Sequence, residues 1–304
     1  MSKQLFSWSE AQYSRFLAQR NLAIKDLIFR LKGVISGTDS KDLGADLNAT
    51  SNANTNNLSQ ITRILDLGCG GGNSTAFLRE AFTEAHIVGI DSSSNMIAKA
   101  QKLGLKNCEF ILHNVNEGLA EFKNFDVVFA NASIHWIANQ HKLFSDIFSA
   151  LGVQQKRKDS KKNNILSAES NTPKFLAIQI PLDSKSIFHN ELQALAKSPK
   201  WSEYFPNPRA FASLSLIQYY EILAPIAQNV WLWECEYVHI LDSTQSVIEW
   251  YKGSGLRPYL EVLSEVKSAE FEKALLQRLD SRILNASNGA VLMQMPRLFF
   301  IAKF

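Results

Sequence analysis

A glycine-rich turn between two acidic residues is the part of this chain best suited to chemistry. A short apolar run that contains Asp66 is followed by Gly68, Gly70 and Gly72. Glycine tolerates positive φ angles and allows a ligand to contact bare backbone. Further along the chain, a second apolar run ends in Asp91. A glycine turn followed by an acidic strand end is typical of a site for a nucleotide-type cofactor.

Two classes of cofactor compete for this pattern. A dinucleotide fingerprint requires a third small residue in G-x-G-x-x-G, and Asn73 stands at that position. Asp66 would also lie against the pyrophosphate of a dinucleotide, whereas it suits a cofactor with no phosphate and a cationic amino-acid end. The stretch D-L-G-C-G-x-G resembles the cofactor loop of class I S-adenosylmethionine-dependent methyltransferases.

This resemblance implies that S-adenosylmethionine is the cofactor. The loop residues Asp66, Gly68, Gly70 and Gly72 would pack on its amino-acid part, and Asp91 would bind both ribose hydroxyls. The predicted cofactor-binding set is completed by Ser92, Asn114, Val115, Asn131, Trp8 and Tyr13.

We expect specific contacts with the cofactor for three of these additional residues. The family usually has an aspartate where Asn114 stands, and an amide oxygen can still accept a hydrogen bond from the adenine amino group. Trp8 and Tyr13 could close over the sulfonium, since aromatic faces attract cations. Packing at the start of the N-terminal helix explains the two aromatic residues equally well.

The surrounding pattern predicts the elements that position these residues. Strands alternate with helices over 63–180, which indicates a parallel sheet. We expect an α/β fold with a Rossmann-like, seven-stranded, mostly parallel sheet, helices on both faces, and a helical cap over the carboxyl ends of the strands. Ligands bind at those ends in open α/β sheets.

Composition divides the chain into segments. We expect an N-terminal helical cap segment over 1–35, a flexible insertion over 36–60, a cofactor-binding core over 61–183, and cap helices with the last two strands over 184–304. The core contains a second polar insertion over 154–174, and both insertions have too few large apolar groups to order themselves.

Length and charge favour an intracellular enzyme. The chain has 304 residues, 46% of them hydrophobic, and a net charge of +3, which is too small to imply a nucleic-acid partner. The N-terminus lacks a signal-peptide pattern, and no apolar run is long enough to span a membrane. The widely spaced Cys69, Cys108 and Cys235 suggest neither a metal site nor a redox pair. We expect a cytoplasmic protein without an obligate protein partner.

Segments outside the glycine turn narrow the acceptor. Four of them resemble, in this order, the family of trans-aconitate 2-methyltransferases, which esterify a carboxylate of a tricarboxylic acid; they are 129–136, 219–223, 255–260 and 296–302. The resemblance implies a small polycarboxylate substrate. One departure concerns the acid that is recognised: the family tends to carry an Arg-Pro pair where this chain has Leu22 and Ala23.

A carboxylate acceptor fits the available side chains. Since its pKa is near 4, it is ionised at neutral pH and requires no general base. Arginine pairs well with carboxylates, so Arg257 and Arg20 are the predicted recognition residues, together with the phenol of Tyr220. His135 could donate a hydrogen bond to the acceptor or simply pack beside Trp136. Arg257 could equally pair with an acidic neighbour, and Arg297 is a weaker candidate.

Two other functions remain open. A malonyl-acyl-carrier-protein O-methyltransferase would need a basic docking surface, for which the lysine-rich stretch 156–162 is the candidate. The chain could also be a non-catalytic module that binds S-adenosylmethionine. Nucleic-acid methylation is disfavoured, because 131–134 lacks the Pro-Pro-aromatic sequence that holds a flipped base.

Overall fold

A computed structural model describes residues 17–38, 55–153, 172–208 and 212–304. Its helices are α1 (Leu17–Ser36), α2 (Thr55–Ser59), α3 (Asn73–Ala81), α4 (Ser94–Gln101), α5 (Gln140–Leu151), α6 (Ile187–Ala196), α7 (Leu216–Leu223), α8 (Thr244–Lys252), α9 (Arg257–Leu260) and α10 (Glu265–Asp280). Its strands are β1 (Arg63–Leu67), β2 (His86–Asp91), β3 (Cys108–Leu112), β4 (Val127–Asn131), β5 (Phe175–Pro181), β6 (Asn229–Leu241), β7 (Leu284–Asn285) and β8 (Val291–Lys303). Short 3₁₀ helices cover Val115–Glu117, Ile134–Trp136 and Asp183–Lys185.

The strands form one sheet in the order β3-β2-β1-β4-β5-β8-β6, and the two-residue β7 pairs with β8. The pairs β1–β2, β1–β4, β2–β3 and β4–β5 are parallel. From β1 the chain builds outward to β3 and then returns to place β4 on the other side of β1. Such a reversal opens a crevice at the carboxyl ends of the strands. The predicted Rossmann-like α/β sheet is thus confirmed.

Contacts divide the chain into two compact units. Among the described residues, the sheet unit contains 23–38, 55–153, 172–180, 212–234 and 298–304, and the helical unit contains 17–22, 181–208 and 235–297. The units therefore interleave along the chain, whereas the sequence prediction kept 184–304 together. The difference arises because β6 and β8 each pass from one unit into the other.

Buried aromatic rings cover both faces of β8 in the sheet unit. Phe300 stacks on Tyr219, with ring centroids 4.8 Å apart, and on Phe144 at 6.2 Å. The preceding residue, Phe299, stacks on Trp233 at 5.0 Å. Successive residues of a strand point to opposite faces, so neither face of β8 meets solvent. Double burial explains why this strand is a continuous apolar run in the sequence.

The helical unit has an aromatic core of its own. Trp201 packs edge-on against Phe271 of α10, with ring centroids 4.9 Å apart, and Phe205 packs on Tyr259 at 5.1 Å. In the same cluster Phe188 of α6 is buried, as are side chains of α8 and β8. Its helices are thus held by packing as well as by their own hydrogen bonds.

The stretch 36–60, expected to be a flexible insertion, is helical at both of its described ends. Helix α1 runs through Ser36, and α2 begins at Thr55. The side-chain amide of Asn57 donates a hydrogen bond to the carbonyl of Ile35 at 3.3 Å. This hydrogen bond connects the two ends of the stretch. Its central residues, 39–54, lie outside the described part of the chain.

The second predicted insertion, 154–174, also falls mainly outside the described residues, which resume at Thr172. Its last residue, Lys174, lies next to β5 and forms an ion pair with Asp126.

Asp126 connects the beginnings of three neighbouring strands. Its Oδ1 accepts a hydrogen bond from Lys174 Nζ at 2.8 Å. Its Oδ2 accepts from the backbone and hydroxyl of Thr62, both at 2.8 Å, and from the backbone of Arg63 at 3.0 Å. Although burial alone would raise the pKa of this carboxyl, the hydrogen bonds from Lys174 and Thr62 hold it below its usual range. The ionised form therefore stabilises β1, β4 and β5 at their amino ends.

We expect Asp126→Asn to lower the free energy of unfolding by about 1–3 kcal/mol at pH 7, because it weakens a buried, charge-assisted network. Urea unfolding measures this change. The folded-state pKa is depressed, so the contribution is present above the unfolded pKa near 4 and is lost as pH falls further. Asp146→Asn is the matched control, since Asp146 forms a more exposed pair with Lys142 and should cost at most about 0.5 kcal/mol. Equal losses in the two variants would contradict the assignment.

Candidate functional site

The glycine turn after β1 lies close to Ser133, which follows the end of β4. A Cβ added at Gly68, where φ is +67°, would lie 2.4 Å from the Cβ of Ser133. The Ser133 hydroxyl donates a hydrogen bond to the carbonyl of Leu67 at 2.5 Å. Because any side chain at Gly68 would collide with Ser133, only glycine fits there. Ser133 therefore fixes the turn against the neighbouring strand.

At Gly70 the turn presents bare backbone. Its φ is +54°, and a Cβ added there would meet no atom within 4 Å. Its amide donates a hydrogen bond to Asp91 Oδ2 at 3.0 Å, which ties the turn to the end of β2. The left-handed conformation and the open space together leave room for a ligand to contact the backbone.

Asp66 lies fully buried beneath the turn, at the end of β1. Its Oδ2 accepts hydrogen bonds from the hydroxyls of Ser74 and Thr75, both at 2.7 Å, at the start of α3. Its Oδ1 has no hydrogen-bond partner among the described residues. Burial raises the pKa of this carboxyl to about 6. A cationic group that contacts Oδ1 would satisfy this oxygen and favour the ionised form.

Asp91 ends β2 with its carboxylate held in one orientation. Its Oδ1 accepts from the backbone of Ser93 at 2.8 Å, and its Oδ2 accepts from Gly70. Each oxygen keeps a further lone pair, so the carboxylate can still accept hydrogen bonds from two hydroxyl groups. Ser92 follows Asp91 and is exposed. With Asp66 and Gly70, Asp91 fits a ligand that has a cationic end and neighbouring hydroxyls, as S-adenosylmethionine does.

Asn114 follows β3 and caps the short helix Val115–Glu117. Its side-chain oxygen accepts hydrogen bonds from the backbone and side chain of Asn116, both at 3.1 Å. The oxygen expected to bind an adenine amino group is thus already used locally. Recognition of adenine by Asn114 and Val115 stays a prediction.

The ends of β4 and β5 bring two buried amides into register. Asn131 pairs with Gln179 across the strands. Asn131 Oδ1 and Gln179 Nε2 are both buried without a hydrogen-bond partner among the described residues. Ala132 follows with φ of +51°, a strained conformation for a residue with a Cβ. Gln179 was not predicted, although a polar residue within the otherwise apolar strand β5 was the signal for it.

His135 lies buried in the short helix after β4. Its ring packs on that of Trp136, with centroids 4.5 Å apart, and its carbonyl accepts a hydrogen bond from Ala212 at 2.9 Å. The geometry therefore shows the packing role, and hydrogen bonding of His135 to an acceptor stays a prediction.

The predicted substrate-binding residues have the following places in the two units. Arg257 begins α9 in the helical unit, is half-exposed, and pairs with Glu261 at 2.6 Å. Tyr220 is exposed on α7 in the sheet unit. Arg20 falls in α1, while Trp8 and Tyr13 lie outside the described residues.

Sequence reasoning missed a buried polar cluster in the helical unit. Asp183, just after β5, and His189 of α6 have Oδ1 and Nδ1 3.3 Å apart. Electrostatic interactions link both residues to Arg297 of β8. More than a hundred residues separate Arg297 from the other two in the chain, so local spacing carried no signal for this cluster.

Cys69 lies within the turn and is buried. Its side chain packs under β2, where a Cβ added at Gly89 would lie 3.0 Å from Sγ. Burial, reinforced by the nearby charges of Asp66 and Asp91, raises the pKa of the thiol. The thiolate, which is the nucleophilic form, is therefore disfavoured.

Two general features concern the residues that the structure describes. They contain no group of three or more histidine, cysteine or acidic side chains arranged to hold a metal ion. None of their helices combines the length and the apolar character needed to cross a membrane.

Comparisons with known proteins agree with this geometry. A family described as "Methyltransferase domain" matches residues 58–179. Trans-aconitate 2-methyltransferase of Escherichia coli (strain K12 / DH10B) is 31% identical over 246 residues, which are 81% of this chain and 88% of that protein. The protein of the same name from Escherichia coli O139:H28 is 29% identical over 296 residues, 97% of this chain and 98% of that protein.

Among solved structures, a crystal structure of the plantazolicin methyltransferase BpumL in complex with a triazolic desmethylPZN analog and S-adenosylhomocysteine is 16% identical, with a TM-score of 0.44, and the match covers 97% of this chain and 92% of that one.

We expect Gly70→Ala to weaken binding of S-adenosylmethionine by about 10-fold or more, because the new methyl group would occupy the open side of the turn. Gly104→Ala is the matched control, since Gly104 also has a positive φ, +60°, and open space around it. Both variants should lose about 1–2 kcal/mol of stability through backbone strain. Calorimetric titration measures binding, and equal affinity of the two variants would contradict the placement of the cofactor at Gly70.

The raised pKa of Asp66 predicts that cofactor affinity depends on pH. The ionised form attracts the cationic amino-acid end, so affinity should level off near pH 7, where the amino group of the ligand is still protonated, and fall by up to about 10-fold per pH unit below pH 6. Asp66→Asn should bind more weakly at pH 7.5 and lose this dependence between pH 5 and 7. Asp91, the other acid near the turn, remains in that variant. A pH dependence that survives in Asp66→Asn would assign the titration elsewhere.

Proposed function

The chain belongs to the family of trans-aconitate 2-methyltransferases, which are S-adenosylmethionine-dependent enzymes, and on that premise we propose that it methylates a carboxylate of trans-aconitate or of a similar small polycarboxylate. The product would be the methyl ester of the acid.

One observation carries the choice of acceptor. The similarity to relatives that bear this name extends over 97% of the chain, far beyond the 58–179 match to a general methyltransferase domain. It therefore includes the helical unit as well as the glycine turn. Similarity confined to the glycine turn would support only the identity of the cofactor and would say nothing about the acceptor.

The side chains of the sheet unit would hold the cofactor. Asp66 would bind its cationic amino group, Gly70 would contact it through backbone, and Asp91 would accept hydrogen bonds from the ribose hydroxyls. Asn131 offers a further acceptor at the end of β4. When bound, S-adenosylmethionine supplies a methyl group on a sulfonium sulfur, so that an O–CH₃ bond forms while the S–CH₃ bond breaks with its electron pair remaining on sulfur.

The acceptor chemistry requires little of this protein beyond orientation. A carboxylate is already ionised at neutral pH, so no residue has to remove a proton from it. Holding the acceptor in line with the methyl group and away from water can contribute about 7–11 kcal/mol to lowering the barrier. His135 would serve as a hydrogen-bond donor to the acceptor, and Arg257, Arg20 and Tyr220 as candidate binding groups in this proposal.

We expect methyl transfer from labelled S-adenosylmethionine to trans-aconitate and to related di- and tricarboxylates, with the ester identified by mass spectrometry. The panel includes free malonate, a malonyl-acyl carrier protein, a primary amine and a phenol. Activity on free polycarboxylates supports the proposal, because recognition of small acids requires no protein partner. Activity confined to the carrier protein, the amine or the phenol would overturn it.

A further inference from the structure

The polar cluster of Asp183, His189 and Arg297 in the helical unit has no role in the function described so far. Its most unusual member is Arg297. No described residue forms a hydrogen bond or ion pair with its guanidinium; the side chain is partly exposed, and desolvation by its surroundings lowers its pKa. Arginine nevertheless stays charged in proteins, and a desolvated charge is costly unless an anion pairs with it. Within the described part of the chain, Arg297 is therefore a cation with no anionic group bound to it.

Asp183 does not serve as the anion that Arg297 requires. Both of its carboxylate oxygens are buried, and neither has a hydrogen-bond partner among the described residues. Burial raises the pKa of this carboxyl to about 7, even though Arg297 acts to lower it. Near neutral pH a large fraction of Asp183 is thus the uncharged acid. In that form it balances no charge and carries an O–H group that can donate a hydrogen bond.

His189 adds no positive charge to the cluster. Burial, together with Arg297, lowers its pKa to about 4, so the ring is neutral at pH 7. Its Nδ1 lies 3.0 Å from the Ser186 hydroxyl and 3.3 Å from Asp183 Oδ1. The contact between His189 and Asp183 is therefore a polar contact of an uncharged ring, and Arg297 is the cation of the cluster.

Rigid aromatic packing surrounds these groups. Tyr251 stacks on Phe188, with ring centroids 3.6 Å apart, and meets His189 edge-on at 5.2 Å. A Cβ added at Gly255 would lie 3.1 Å from His189 Nε2. The absence of a side chain at Gly255 thus allows the backbone to lie against the ring. Such support holds the polar groups in fixed positions, which a selective binding site requires.

We propose that Arg297 binds a carboxylate of the acceptor acid through its guanidinium, and that Asp183 contacts the same acid as a hydrogen-bond donor. This inference rests on the proposed function, since it assigns the residues that recognise the polycarboxylate. An arginine fork matches a carboxylate with two parallel hydrogen bonds. Asp183 comes two residues after β5, a strand whose carboxyl end belongs to the ligand-binding edge of a parallel sheet.

The pairing makes acceptor affinity depend on pH. Asp183 faces His189 from α6 and Arg297 from β8, and Arg297 also faces Tyr251 of α8 and Tyr237 of β6. Of these groups, Asp183 has its pKa near 7. Its acid form donates to the acceptor carboxylate, and its ionised form repels that carboxylate. Acceptor affinity should therefore be highest at pH 6.5 and fall as pH rises to 8.5, a range in which the acceptor carboxylates are already ionised.

The test combines turnover with direct binding. Acceptor KM and kcat are measured for the wild type, Arg297→Met and Arg297→Lys, and calorimetry measures binding of trans-aconitate to each protein saturated with S-adenosylhomocysteine. We expect Arg297→Met to weaken acceptor binding by about 10- to 100-fold, with affinity for S-adenosylhomocysteine changed less than about twofold. Arg297→Lys keeps the charge without the fork, so its loss should be smaller.

Two further variants separate recognition from a structural role. Arg282→Met removes an exposed arginine of the same unit, whose partner Glu191 keeps Arg278, and should leave acceptor KM unchanged. Asp183→Asn is uncharged at every pH, so its acceptor affinity should stay constant from pH 6.5 to 8.5. Arg257→Met, measured in parallel, tests the arginine favoured by the sequence.

The outcomes are distinct. If the wild type methylates trans-aconitate and Arg297→Met retains acceptor KM and affinity within threefold, the inference about Arg297 is wrong while the proposed function stands. If the wild type binds trans-aconitate through Arg297 without methylating any carboxylate, the function is wrong and the site stands. A pH profile that is the same in the wild type and in Asp183→Asn removes Asp183 from the site. Circular dichroism and thermal unfolding confirm that each variant is folded.

Discussion

One buried carboxylate organises the cofactor end of the sheet. Asp66 accepts hydrogen bonds from Ser74 and Thr75, which fix the start of α3 relative to β1. The turn between the two elements must therefore span that fixed distance. Gly68 allows this turn to lie against Ser133 at the end of β4. The carboxylate that shapes the turn also leaves one oxygen without a partner. Construction of the loop and its capacity to bind a cationic group therefore depend on the same side chain.

In the proposed function, the two compact units would carry different parts of the chemistry. Asp66, Gly70 and Asp91 belong to the sheet unit, where parallel strands place their polar ends at one edge. The desolvated Arg297 and Asp183 belong to the helical unit, whose aromatic core supports them. A methyl donor common to many enzymes calls for a standard strand–turn–helix element. Recognition of a particular acid calls for charged groups buried in a setting specific to that acid, and these are costly enough to require a separate packed core.

How much the sequence predicts depends on how far apart the cooperating residues are. The strands, the glycine turn and Asp91 follow local patterns within a few dozen residues, and these predictions of fold were confirmed. Arg257 looked like a recognition residue because of its neighbours, but the structure pairs it with Glu261, one helical turn further on. Arg297 was the weaker candidate, and the two residues with which the structure groups it, Asp183 and His189, lie more than a hundred residues earlier. A polar residue within an apolar strand is a local signal for Gln179, whereas the grouping of Arg297 with Asp183 and His189 has no local sequence signature.

The thiol of Cys69 offers a way to measure how often the glycine turn opens in solution. It is enclosed beneath the glycine turn, and its thiolate is disfavoured by burial and by the neighbouring carboxylates. Alkylating reagents react with thiolates, so Cys69 becomes reactive only when the turn detaches from β2 and water enters. The rate of its modification therefore reports how often this loop opens. If a ligand keeps the glycine turn closed, Cys69 should be alkylated more slowly in its presence. The labelling rate would thus report ligand binding at the turn without any measurement of methyl transfer.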